Sequence, residues 1–318
     1  MQRILVGLLI MWPVITIGQK IDQHITLREM GHSSHFRFSY DNDYFASSDR
    51  SYTQGYSFEW SSPSLSRNPL SRILIKKRDS EIRHGLILEH IGFTPRDIVS
   101  EEIQFGDRPF ASAIMLKSMN TSVDRDSKSR LTSTLSLGVI GPVAFGEWMQ
   151  VTIHRALDNR IPGGWKNQIA NDVIINYGLA HEKQLIRMKN RVAIHSDLAI
   201  QVGTLMSKAH AGAQIQVGLL PDVYNEGRSL GSWSLFAYGR PLLSAIEYDA
   251  TLQGGKINRD SPYTIRSRDI ERLVGSMEFG IIVQSPSMYL EFFRMMMSPE
   301  FNGGEAASYG GLKVGWKI

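Results

Sequence analysis

Residues 191–203 read Arg-Val-Ala-Ile-His-Ser-Asp-Leu-Ala-Ile-Gln-Val-Gly. Val192, Ile194, Leu198, Ile200 and Val202 fall on one set of alternate positions, and His195, Asp197 and Gln201 on the other. Successive side chains of a strand point to opposite sides, so this is a strand with one greasy and one wet face. The pattern recurs in Ala211, Ala213, Ile215, Val217 and Leu219 against Gly212, Gln214, Gln216 and Gly218. It returns at the chain end, with Leu312, Val314, Trp316 and Ile318 opposed to Lys313 and Lys317.

Working outward from these runs predicts about twelve strands, at 34–42, 52–61, 82–92, 110–119, 130–140, 171–185, 191–203, 207–218, 231–251, 271–284, 287–297 and 307–318. The run 231–251 contains Gly239-Arg240-Pro241 but is kept whole, because bacterial single-chain barrels have even strand counts. Pro241 then calls for a bulge or an extension beyond the membrane, since proline removes a ladder donor.

Alternation alone also suits a soluble sandwich. Wet faces rich in glycine, aromatics near strand ends, and an export signal without cysteines favour an all-β, transmembrane antiparallel up-and-down barrel in the bacterial outer membrane. Met-Gln-Arg, an apolar run from Ile4 to Ile17 and the small Gly18 are expected to form a signal peptide over 1–18, leaving 19–318 as one barrel domain. No later stretch approaches the roughly 18 apolar residues of a spanning helix. With no cysteine the chain is not a disulfide scaffold, and a net charge of +4 describes an ordinary surface, compatible also with weak attraction to phosphate-bearing lipid headgroups, with no nucleic-acid partner expected. The stretch from Ser61 to Arg78, Ser/Pro-rich and then basic, reads as a long turn.

One stretch breaks the strand pattern. Residues 141–157 are helical in character, and the i, i+4 spacing of Gln150 and His154 puts both on one helix face. With both termini periplasmic, the loops after strands one, three and five face the cell exterior and gather every unusual polar cluster at one rim. His154 is a candidate general base, or else a hydrogen-bonded loop histidine. Gln150 could orient a water or donate to an oxyanion, or simply be solvated. Asn42 and Asp43 offer the hard oxygens of a calcium site, though Asx residues at a strand end are also turn formers. Asp43 has lumen parity with Arg37 and Ser39, and Thr53 shares its face with Gly55, Ser57 and Glu59. Asp107 and Arg108 read as a pair pinning a loop, and Trp165 as a loop anchor or a lipid-interface residue.

Taken together, the motifs closely resemble the outer-membrane lipid A 3′-O-deacylase family of LpxR-type barrels. The resemblance runs through Asn42-Asp43-x-Phe45, Asp49-Arg50-x-Tyr52-Thr53-x-Gly55, Thr94-Pro95-x-Asp97-Ile98 and Asp107-Arg108-Pro109-Phe110-Ala111. It continues in Gly141-Pro142, Gly146-Glu147, Gln150, His154, Gly164-Trp165-x-x-Gln168 and Thr251-Leu252-Gln253-Gly254. It implies a twelve-stranded barrel, acting as a monomer among membrane lipids, that hydrolyses the 3′-linked acyloxyacyl ester of lipid A (lipopolysaccharide) in the outer leaflet with calcium (Ca2+). The implied mechanism is similar to that of secreted phospholipase A2: His154 as base, Gln150 beside it, Asp43 as metal-linked carboxylate, Asn42 and Thr53 as polar groups around the ester. The family pattern also has a lysine after the Thr-Pro motif and an acidic residue after the histidine. Here the nearest counterparts are Arg96 and Asp158. An outer-membrane phospholipase, or a non-catalytic channel or structural barrel, are the rival readings.

Overall fold

The computed structural model describes residues 25–42, 54–224 and 233–318. The expected signal peptide and the candidates Asp43 and Thr53 lie outside the described residues. The described residues form twelve strands: β1 His35–Asn42, β2 Gln54–Ser61, β3 Glu81–Phe93, β4 Ala111–Asp124, β5 Ser129–Ile140, β6 Asp172–Met188, β7 Val192–Gly203, β8 Met206–Leu219, β9 Ser234–Asp249, β10 Leu273–Gln284, β11 Met288–Met297 and β12 Ala307–Lys317. Each pairs antiparallel with its sequence neighbours, and β1 closes the barrel against β12. No described helix is long and apolar enough to cross a membrane; the strands do so.

Period-2 patterning sorts the wall. Phe58, Leu88, Leu116, Ile175, Leu198 and Ile200 project outward and are exposed, whereas Arg37, Ser57, Glu59 and Glu89 project inward and are buried. Apolar outside and polar inside is the arrangement that lipid selects. The inward charges are matched across strands, with Arg37–Glu59 at 2.7 Å, Arg240–Asp197 at 2.6 Å and Lys117–Glu89 at 2.9 Å.

Pro241 needs neither a bulge nor an extension. It lies within β9, opposite Met277 of β10, and the register with β8 is the same on both sides, Gly212↔Leu242 and Ile215↔Gly239. The missing donor is absorbed by a short gap in the β8–β9 ladder, where a Cβ at Gly212 would collide with the Pro241 carbonyl. β4 runs five residues past its predicted end at 119, because Ser118, Asn120 and Ser122 break the apolar outward pattern without breaking the strand.

The segment before β1 folds into the lumen, burying Ile25, Leu27 and Met30. Arg28 donates from Nε to Glu291 at 2.8 Å and also reaches Glu278 and the Tyr238 hydroxyl. Glu29 pairs with Arg83 at 2.5 Å and Arg130 at 3.2 Å. Burial alone would raise the Glu29 carboxyl, but Arg83 and Arg130 outweigh it and hold it at about 2, below its ordinary 4.5. A depressed carboxyl contributes stability that is present above its unfolded value and lost as pH falls towards its folded one. Backbone amides of 25–31 are therefore expected to keep their hydrogen-exchange protection down to pH ~4.5 and lose it between there and pH ~2. Unchanged protection at pH ~2 would show that the Glu29 pairs do not hold the plug.

Candidate active site

The loop between β5 and β6 carries α1, Gly146–Ala156, shorter at its start than the predicted helical stretch because Pro142–Ala144 forms a separate 3-10 turn. Phe145 between them is left-handed, with φ 50°. Glu147 lies in the first turn and Arg155 in the last, each sign where the helix dipole favours it.

The helix begins on the outer face of the wall. His90 shares its parity in β3 with the exposed Leu88, and Ser112 shares its parity in β4 with the exposed Leu116. The His90 ring is stacked between Tyr56 (5.1 Å, 11°) and Phe145 (5.4 Å, 21°), and its Nε2 lies 2.9 Å from the Ala144 carbonyl. Gly146 settles over Ser112: a Cβ there would sit 2.7 Å from Ser112 Oγ and 2.9 Å from the Trp165 ring. His90 was not a sequence candidate. Its signal is a polar residue at a position where Leu88 predicts a lipid-facing one.

Gln150, one turn on, is buried, and its Oε1 accepts from Trp165 Nε1 at 2.6 Å. An indole N–H can only donate, so the amide orientation is fixed and the Gln150 NH2 is the end not engaged by Trp165. Trp165, 1% exposed, is thus a loop anchor and not a lipid-interface residue. His154 is half-buried, and its Nδ1 lies 2.6 Å from the Arg160 carbonyl. A carbonyl can only accept, so Nδ1 carries the proton and Nε2 of the neutral ring keeps its lone pair. That is the tautomer a general base needs.

The β3–β4 loop braces this unit. Gly163 N donates to Ile98 O at 2.9 Å, Ile169 N to Phe110 O at 2.8 Å, and Phe110 packs on Trp165 at 5.0 Å. Lys166 bonds Glu101 at 2.8 Å, which holds the Glu101 carboxyl below its usual range. Thr251-Leu252-Gln253-Gly254 is a capped turn: α2, Ala250–Gln253, starts with the Asp249 carboxylate accepting from Thr251 N at 2.8 Å and ends at left-handed Gly254. Asp107 does not take its arginine from next door. Arg96 Nε donates to it at 3.0 Å, while the Arg108 guanidinium reaches Glu300 at 3.1 Å. Arg96, the nearest counterpart of the family's lysine, is further tied to Glu305 at 2.6 Å. Asp158 sits in the left-handed turn that ends the helix, with φ 55°.

Asn42 ends β1 on the outward face, donating to the Tyr40 hydroxyl at 3.2 Å. Register places Tyr40, Tyr56 and His90 in one row across β1, β2 and β3, and Asn42 in the next row towards the exterior, level with the Ser112 seat of the helix. Three strand spacings, about 14 Å, separate their backbones. The amide oxygen of Asn42 and the carboxylate of Asp43 are hard donors of the type calcium takes. Among the described residues no group of three His, Cys, Asp or Glu side chains is placed to hold a metal.

Replacing Trp165 by Phe keeps the packing on Phe110 and removes one donor, leaving the buried Gln150 oxygen unsatisfied. The expected cost is about 1–3 kcal/mol of stability. Denaturant unfolding in detergent checks this; a variant as stable as the parent would mean that the bond is dispensable.

A sequence model of the family described as Outer membrane protein LpxR matches residues 4–318. Among solved structures, LpxR from Salmonella typhimurium is similar at 17% identity and TM-score 0.73, covering 90% of this chain and 100% of that one. The beta domain of the Bordetella autotransporter BrkA is similar at 8% identity and TM-score 0.48, covering 91% of this chain and 100% of that one. No curated protein sequence matches.

Proposed function

The chain belongs to the outer membrane protein LpxR family, and on that premise we propose that it is an esterase removing the 3′-linked acyloxyacyl chain of lipid A in the outer leaflet. The observation that carries this reading is the His154 ring, held through Nδ1 by the Arg160 carbonyl so that Nε2 is the basic nitrogen. It stands one helical turn from Gln150, whose oxygen is held by Trp165.

Nε2 takes a proton from a water whose oxygen attacks the ester carbonyl, and the Gln150 NH2 donates to the carbonyl oxygen as negative charge develops. Collapse breaks the bond to the sugar oxygen, which receives the proton from Nε2, giving a free acid and a sugar hydroxyl. Asn42 and Asp43 would hold calcium, which when bound supplies positive charge to the oxyanion.

The test is the mass profile of lipid A from cells with and without the protein, repeated with a chelator. The expected result is loss of one acyloxyacyl unit, suppressed by chelation and restored by calcium. Unchanged lipid A alongside rising lysophospholipid would reject this substrate in favour of phospholipid; loss that persists under chelation would remove calcium from the proposal.

A further inference from the structure

The stretch expected to be a simple turn between β2 and β3 is a strap, residues 62–80, laid on the outside of the barrel near its periplasmic end. Two 3-10 turns, Pro63–Arg67 and Pro69–Arg72, shape its first half; Ser62 and Asn68 cap them and a proline opens each. Beneath it the lipid-facing side of the wall is polar: Ser118, Asn120 and Ser122 share the outward face of Leu116, and Ser133 that of Leu135. Such groups would be unsatisfied against acyl chains.

The strap satisfies them. Asn68 Nδ2 donates to Ser118 at 3.1 Å, Ser71 Oγ to Asn120 at 3.1 Å, Lys77 N to Ser122 at 3.0 Å, and Ser133 to Ile75 O at 2.7 Å. Leu65 and Leu74 are buried under it. The far side of the strap therefore replaces the wall as the lipid-facing surface. There Ile73 is 62% and Ile75 48% exposed, continuing the apolar belt. Around them stand Arg67, Arg72, Lys76 and Arg78, all exposed and none in an ion pair among the described residues; Lys77 is paired with Asp124 at 2.5 Å. The strap carries five cations against one acid, Asp79, a surplus equal to the +4 of the whole chain.

Two isoleucines in the acyl region with cations at their edges is the pattern by which a segment lies in a membrane interface and draws anionic headgroups. The strap lies on the side opposite the active-site loops, hence in the periplasmic leaflet. We propose that it is a docking site for the headgroups of anionic phospholipid in that leaflet, independent of which ester the other rim cleaves.

The full-length barrel, in nanodiscs of mixed phosphatidylglycerol and phosphatidylcholine, is analysed by native mass spectrometry for the lipid it retains. The expected result is enrichment of phosphatidylglycerol, weakened by added salt, and reduced about fivefold for each cation neutralised among Arg67→Gln, Arg72→Gln, Lys76→Gln and Arg78→Gln. A companion variant, Arg67→Lys, Arg72→Lys and Arg78→Lys, keeps the charge and should keep the enrichment. No preference in the unsubstituted protein would overturn the proposal without any variant being needed. So would equal enrichment in the folded glutamine variant, or displacement of phosphatidylglycerol by lipopolysaccharide.

Discussion

His154→Ala is expected to lower lipid A deacylation by about 10²–10⁴-fold while leaving the barrel folded. The side chain is half-buried in a loop helix outside the membrane-spanning wall, so its removal opens no gap in the barrel core. What is lost is the nitrogen lone pair that the Arg160 contact leaves on Nε2. Lipid A mass profiles report the activity, and the heat-dependent gel shift of outer-membrane barrels reports the fold. A folded variant that still deacylates would remove His154 from the mechanism and assign the base to another group.

Arg28→Met is expected to destabilise the barrel by about 3–5 kcal/mol, the cost of leaving buried carboxylates without their partner. Arg28 is 3% exposed and is shared by Glu278 and Glu291, which project from neighbouring strands β10 and β11. Removing the cation leaves both carboxylates in the packed lumen. Adding Glu291→Gln to the same chain removes one of those charges and should recover part of the loss. Urea unfolding in micelles, followed by tryptophan fluorescence, measures both. A single variant as stable as the parent would show that water or Arg240, 3.4 Å from Glu278, already supports the pair.

The wall was legible because a barrel in lipid obeys one rule, alternation, over strands of 8 to 17 residues. Gln150 and His154 were legible because they sit where alternation gives way to helical spacing. The strap was not: its basic run looks like a solvated turn, and only the polar outward row of Ser118, Asn120 and Ser122 says that something must cover the wall. The same rule would have marked His90. The effect of Pro241 is not legible because it depends on Gly212 of the neighbouring strand, whose missing Cβ leaves room for the Pro241 carbonyl, and the Asp107 partner is not because Arg96, eleven residues away, is brought back by the loop and Arg108 is drawn to Glu300. Both depend on pairing across chain segments, which periodicity does not encode.

The stack of Tyr56, His90 and Phe145 has a kinetic consequence. It fastens the start of α1 to the outside of the wall, on the side where acyl chains lie, and the lumen below is occupied by the chain's own residues 25–31. A substrate that meets this helix arrives sideways, by diffusion in two dimensions, without leaving the bilayer. Turnover should then follow the mole fraction of substrate among its neighbouring lipids and be indifferent to its amount per volume of buffer. Diluting the substrate with inert detergent should slow the reaction even when every molecule remains in the same tube.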